Sequence, residues 1–255
     1  MKLFLNKITI ILKAVVLFQN WYALFIERTF PSKKDKTFYL RTGTKVFGGS
    51  DPTNISVISE VFLYHAYFNH YTETPKTIID IGANVGYFTV YAANKFPQAK
   101  IFSFEPFPGS YEKLERHKRE NNFANVTTIN KAVSNINGTA SLTLSSSVGE
   151  HSLVIENKGP NSVTVNCIKL EEAMSEFQIQ QCDFMKIDCE GSEYNIFYSL
   201  PDETFAKIKN IAIETHFINS DKMNETALAK FLKEKGYDVI MESVGVCPFI
   251  FASRK

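Results

Sequence analysis

The sequence predicts an α/β protein, a mostly parallel seven-stranded sheet with helices on both faces and an antiparallel C-terminal edge. Three observations predict it. From residue 77 onward, short β-branched or aromatic runs alternate with amphipathic helical patterns, as βαβ units require. A glycine-bearing turn stands directly between the first of these strands and its helix. The last two strand-like runs, 237–241 and 249–252, follow one another with no helix between them, so they pair antiparallel.

The elements follow in chain order. Residues 3–26 are strongly apolar, but Asn6, Lys7, Lys13, Gln19 and Asn20 interrupt them. A membrane span of ~20 apolar residues is therefore not expected, nor is a cleavable leader. Lys2, Asn6, Thr9, Lys13, Asn20 and Glu27 recur at spacings of three, four and seven. This describes a helix with a narrow polar stripe and a wide apolar face. Such a helix docks on its own domain, pairs with a second subunit, or lies in a membrane interface. Residues 37–47 read as a hairpin turning at Thr42-Gly43, and 55–68 as one helix after an Asp51-Pro52-Thr53 loop. Strands are expected at 77–81, 100–104, 126–129, 184–187 and 208–213, and helices at 87–95, 109–122 and 224–235, the last closed by Gly236. Between the third and fourth strands, Ala140, Leu142 and Leu144 alternate as an antiparallel insertion whose partner is 163–165. The Ser-, Gly- and Asn-rich stretch 145–160 between them reads as a mobile loop. No linker interrupts the chain after residue 75, so two regions are expected, residues 1–36 as an appendage and 37–255 as one domain.

Composition narrows the function. The chain has 255 residues with 28 Lys and Arg against 27 Asp and Glu, a net charge of +1. A nucleic-acid binder usually shows a basic excess, so no nucleic-acid partner is expected. Near-neutrality also leaves membrane contact, if any, to the apolar face of residues 3–26. Cys167, Cys182, Cys189 and Cys247 lack metal-site spacing, and three lie in or beside expected strands. Reduced, buried thiols suit a reducing compartment, so a cytoplasmic protein is expected, with membrane association through the N-terminal helix left open.

The turn Asp80-Ile81-Gly82-Ala83-Asn84-Val85-Gly86 departs from the G-x-G-x-x-G spacing of dinucleotide sites. Asp80 would repel a pyrophosphate but suits an ammonium or sulfonium. Glu105 ends the next strand nineteen residues after Gly86, where an acid commonly holds two ribose hydroxyls. S-adenosylmethionine carries all three features.

Five segments in order, TIIDIGANVGYFT, FSFEPFPGSYEKLERHKREN, NKAVSNINGTASL, DFMKIDCEGSEYNIF and IAIETHF, resemble the FkbM-type methyltransferases. The resemblance covers roughly residues 37–255. It implies a class I methyltransferase, Rossmann-like sheet, S-adenosylmethionine as cofactor, and O-methylation of a hydroxyl on a sugar, glycan or natural-product-like acceptor. It implies that Asp80, Gly82, Ala83, Asn84 and Gly86 hold the methionine end and that Glu105 holds the ribose. Pro106, Phe107, Ala132 and Val133 would lie near the adenine, and Asp188 beside cofactor or acceptor.

A hydroxyl acceptor must lose its proton, usually to His, Asp or Glu. Asp188 and Glu190 are two residues apart, as are Glu214 and His216, so each pair faces one way at its strand end. If the two strands are neighbours, four ionisable groups meet at the carboxyl edge of the sheet, where open α/β sheets bind ligands. Glu190, His216 and Glu214 are the candidate catalytic residues. Lys186 is placed to pair with Asp188. The four groups would also suit a divalent ion, but spacing alone does not show that they converge, and no metal is expected. His65, His70, His117 and His151 are weaker candidates. Two other classes stay open: a non-catalytic binding module, which the intact Asp80 and Glu105 oppose, and a nitrogen or carboxylate acceptor.

Overall fold

A computed structural model describes residues 2–32, 34–49, 53–143, 152–154, 162–216, 221–244 and 247–254. The chain opens with helices α1 (Lys2–Leu17) and α2 (Trp21–Thr29), then hairpin β1 (Lys36–Tyr39) and β2 (Lys45–Gly49). Helix α3 (Thr53–Ser59) runs on into a π-helical turn at Glu60–Tyr64 and a 3-10 turn at Ala66–Phe68. The alternating region follows as β3 (Thr77–Ile81), α4 (Tyr87–Lys95), β4 (Lys100–Phe104), α5 (Pro108–Glu120) and β5 (Val126–Ile129). The insertion comprises β6 (Ala132–Ser134), β7 (Gly138–Thr143), β8 (Ser152–Val154) and β9 (Ser162–Lys169). The chain finishes with α6 (Leu170–Glu176), β10 (Cys182–Ile187), α7 (Glu193–Ser199), α8 (Asp202–Phe205), β11 (Ile208–Glu214), α9 (Glu225–Glu234), β12 (Asp238–Val244) and β13 (Cys247–Ser253).

The central sheet has seven strands in the order β12-β13-β11-β10-β3-β4-β5. The five strands from β11 to β5 are parallel, and β13 runs antiparallel to both β11 and β12. The expected edge is therefore present. Alternation along β3 sends Ile78 into one core and Ile79 and Ile81 into the other. The first core joins the sheet to α4, the 53–68 segment and the N-terminal helices; the second joins it to α6, α7, α8 and α9. Helix α9 starts where the Asn224 side chain accepts the Ala227 N–H at 2.9 Å, and it ends at Gly236, φ +86°.

Several local expectations change. Residues 3–26 form two helices instead of one, because Phe18 leaves the helix to bridge Leu40 beside β1. The 55–68 helix widens into its π turn and breaks at His65, which takes a left-handed conformation at φ +55° and holds the Tyr91 hydroxyl at 2.9 Å. Within the stretch read as a mobile loop, residues 152–154 instead pair with β7, and Leu144, His151 and most of that stretch lie outside the described residues. Ala140 and Leu142 do face Val165 and Val163 across an antiparallel pair. Asp51 and Pro52 are also outside the described residues.

Candidate active site

Register builds the site. In the parallel pair β3–β10, Asp80 stands opposite Lys186, and on the other side of β3 Ser103 stands opposite Asp80. These three side chains share one sheet face. The Lys186 ammonium lies 3.4 Å from Asp80 and 3.5 Å from Asp188, and donates to the Gly82 carbonyl at 2.6 Å. Thr89, at the start of α4, donates to Asp80 at 2.7 Å. Asp80 is wholly buried, held by Lys186 and Thr89, and is not among the residues that line the cleft beside the turn. Burial pushes its carboxyl upward, and Lys186 and Thr89 oppose this. Lys186 is buried too, which works against its charge, but Asp188, Asp80 and Glu214 outweigh that and hold the amine well above its ordinary range. Asp80 therefore braces the turn through Lys186.

The glycines have a related reason. Gly82 has φ +72°, and a Cβ there would stand 1.8 Å from the Asp188 carbonyl oxygen. The close approach that requires glycine here is made by the neighbouring backbone. Gly86 (φ +98°) packs against Leu114 and begins α4. The turn leaves a cleft whose walls include Gly82, Asn84, Glu105, Pro106, Ala132, Val133, Asp188 and Glu190. Ala83 is buried beneath the turn, and Phe107 donates its N–H to Glu105 at 2.8 Å.

Glu105 is the chief acceptor in that cleft. One oxygen takes the Phe107 N–H and the other the Asn84 N–H, both at 2.8 Å. Asn84 can point its N–H this way because it adopts φ +51°. Burial raises the Glu105 carboxyl to about 7, against the pull of the two backbone N–H groups. Each oxygen keeps a lone pair for a hydroxyl donor. The Asn130 side chain donates to the Glu105 and Pro106 carbonyls and holds this strand end in place. Paired acceptors on Glu105, in a cleft that is otherwise largely apolar, fit the ribose and adenine of S-adenosylmethionine.

Beyond the turn, β10 and β11 are indeed neighbours, with Ile187 opposite Ile213. His216 Nε2 lies 3.3 Å from Glu190 and 3.8 Å from Asp188. Its Nδ1 lies 3.5 Å from Glu193. Burial works against a charge on this imidazole, but Glu193, Asp188 and Glu190 outweigh it and raise it to about 9. At neutral pH His216 is an imidazolium, so it steadies the Glu190 carboxylate more readily than it takes a proton. Glu190 itself sits at φ +53° in the tight turn before Gly191. Asp188, Glu214 and His216 each offer an atom within 4.8 Å of the others, a nitrogen and two oxygens of the kind a divalent cation takes. A cation would first have to displace the proton of His216.

Three residues escaped the sequence reading. Glu193 is wholly buried; it accepts the N–H groups of Gly191 and His216, each at 2.8 Å. An acid at the start of a helix is the only signal it offered. Tyr67 reaches across from the 53–68 segment, its hydroxyl 2.9 Å from Glu214 and 3.2 Å from Asp188. Burial and the carboxylates of Asp188, Glu214 and Glu60 keep that phenol protonated, so one proton serves two carboxylates. Glu60 completes the group; burial, then Glu214 and Asp188, raise it to about 7. No periodicity foretells that a side chain more than a hundred positions upstream arrives here. The remaining histidines do other work. His117 is buried, which lowers it to about 4, and it bonds Val85 and Phe47 backbone. His65 is likewise lowered to about 4 by burial, and His70 lies 3.1 Å from Glu242.

Comparison with known proteins points to one family. A family model described as the methyltransferase FkbM domain matches residues 80–239. The chain is 26% identical over 227 residues to methyltransferase sdnD of Sordaria araneosa, covering 77% of this chain and 86% of that one. It is 26% identical over 204 residues to methyltransferase 1 of Beauveria bassiana, covering 72% and 80%. Among solved structures, a SAM-dependent methyltransferase from Agrobacterium tumefaciens superposes with a TM-score of 0.50 at 9% identity, covering 87% of this chain and 71% of that one.

Proposed function

The chain belongs to the FkbM-domain methyltransferases, and on that premise we propose that it uses S-adenosylmethionine to methylate a hydroxyl of a sugar, glycan or natural-product-like acceptor. The observation that carries this reading is that Glu105, Asp188 and Glu190 line one cleft, with His216 3.3 Å from Glu190. Glu105 would hold the ribose hydroxyls, and Gly82 and Asn84 the methionine end. When bound, S-adenosylmethionine supplies a methyl on a positively charged sulfur. The protein's work is then to orient the acceptor oxygen and to take its proton. Glu190 accepts that proton, His216 and Glu193 steady it, and Asp188, held by Lys186 and Tyr67, orients the acceptor. The excess of carboxylates fits a neutral polyhydroxyl acceptor and disfavours an anionic one.

Calorimetry tests the premise: wild-type protein binds S-adenosylmethionine, and Glu105→Gln loses at least about tenfold in affinity, the cost of a charged hydrogen bond. Turnover with labelled cofactor against glycan and metabolite extracts tests the rest. Glu190→Gln keeps cofactor affinity and loses turnover by about a hundredfold or more. Full turnover in both Glu190→Gln and His216→Ala would remove the assigned base. Turnover that collapses on chelation and returns with a divalent ion would replace it with a metal at Asp188, Glu214 and His216.

A further inference from the structure

The N-terminal helices dock by their polar side and leave apolar side chains outward. Lys13 donates to the Leu63 carbonyl at 2.8 Å. The Asn20 side chain donates to the Thr37 carbonyl and accepts from the Tyr39 N–H. Glu27 is buried, 3.1 Å from Lys36, and it accepts the Ser32 N–H at 2.9 Å. With that stripe turned inward beside Ala14, Phe18 and Leu24, a second apolar row faces out. Ile8, Ile11, Leu12 and Val16 follow i, i+3, i+4, i+8 spacing on α1, and Tyr22 and Ile26 follow i, i+4 on α2, with exposed Phe30 just past its end. Exposure reaches 69% at Val16 and 75% at Phe30. Single exposed apolar residues are ordinary; a row continued over two successive helices marks an interaction surface.

Charge indicates what covers it. Residues 1–41 hold eight Lys and Arg (2, 7, 13, 28, 33, 34, 36 and 41) against Glu27 and Asp35, a net +6. The whole chain is +1, so residues 42–255 sum to −5. Arg28 on α2 and Lys34 just after it are exposed, and Arg41 reaches back to the Val15 carbonyl. Two copies meeting through this surface would bring two strongly positive segments together, which is unfavourable. Anionic lipid headgroups would neutralise them while the apolar row enters the acyl boundary. No helix among the described residues is long and apolar enough to cross a membrane, so these helices would lie in the interface plane. We propose that the outer face of α1 and α2 binds the surface of an anionic bilayer, with the acidic remainder of the chain turned away from it.

Co-sedimentation of the full chain with phosphatidylcholine vesicles, with and without phosphatidylglycerol, tests this. Binding is expected to the anionic vesicles, about tenfold weaker to the neutral ones, and to fall with salt. Leu12→Asp with Val16→Asp and Ile26→Asp should abolish binding while calorimetric cofactor affinity and melting temperature stay unchanged. Arg28→Glu with Lys34→Glu should erase the preference for anionic lipid. Failure of the wild type to sediment with anionic vesicles overturns the proposal. So does a wild-type dimer that the triple variant converts to monomer with no vesicle binding, or a double variant that retains the full lipid preference.

Discussion

In the proposed role, Glu105 would couple cofactor binding to pH. Its burial holds the free carboxyl near 7, whereas the two ribose hydroxyls of the proposed cofactor would favour the ionised form. Protonation removes an acceptor, so affinity for S-adenosylmethionine should fall as pH drops through 7. The fall should approach tenfold per pH unit down to the lower pKa of the complex. Calorimetry between pH 5 and about 8 checks this, and Glu105→Gln should flatten the profile. That Glu105 lines the cleft beside the glycine turn was readable from its distance after that turn. That of Asp80 was readable only as an acid beside the turn: the register with Lys186 and the bond from Thr89 turn it inward. Glu193, Tyr67 and Glu60 were not readable, because a carboxyl or phenol acquires such a role only from what folds against it.

Among elements, the turn between β3 and α4 is tightly constrained. Gly82→Ala would force a side chain into a left-handed backbone and against the Asp188 carbonyl oxygen. The conformation alone costs about 1–2 kcal/mol, and the contact adds to it. The melting temperature should fall by several degrees, and cofactor binding should weaken with it. A variant as stable as the wild type would show that the turn rearranges freely. The strands and helices of the alternating region were legible because β-branched runs, periodic apolar faces and Gly236 each signal locally. The break at His65 and the division of residues 3–26 were not, since Tyr91 and Leu40, distant in sequence, set them.

At the scale of the whole molecule, residues 1–36 are less separate than composition suggested. Ala14, Phe18 and Leu24 belong to the same core as Phe38, Leu40 and Phe62, and Phe18 packs edge-on against Phe62 at 5.6 Å. Phe18→Ala should cost about 3–5 kcal/mol in chemical denaturation of the entire chain, and a loss under 1 kcal/mol would mean the N-terminal helices are merely appended. The net charge of +1 likewise conceals a +6 segment joined to a −5 remainder, which a total cannot reveal. By itself the sequence determined the α/β class, the order of the strands in the chain, the antiparallel edge and the methyltransferase signature, because these rest on local periodicity and on short motifs. Only the tertiary structure decided which acids face the cleft, which carboxylates share a proton, and which side of the N-terminal helices remains outside. Those follow from burial and register between segments far apart in the chain, and neither is written in any single stretch of it.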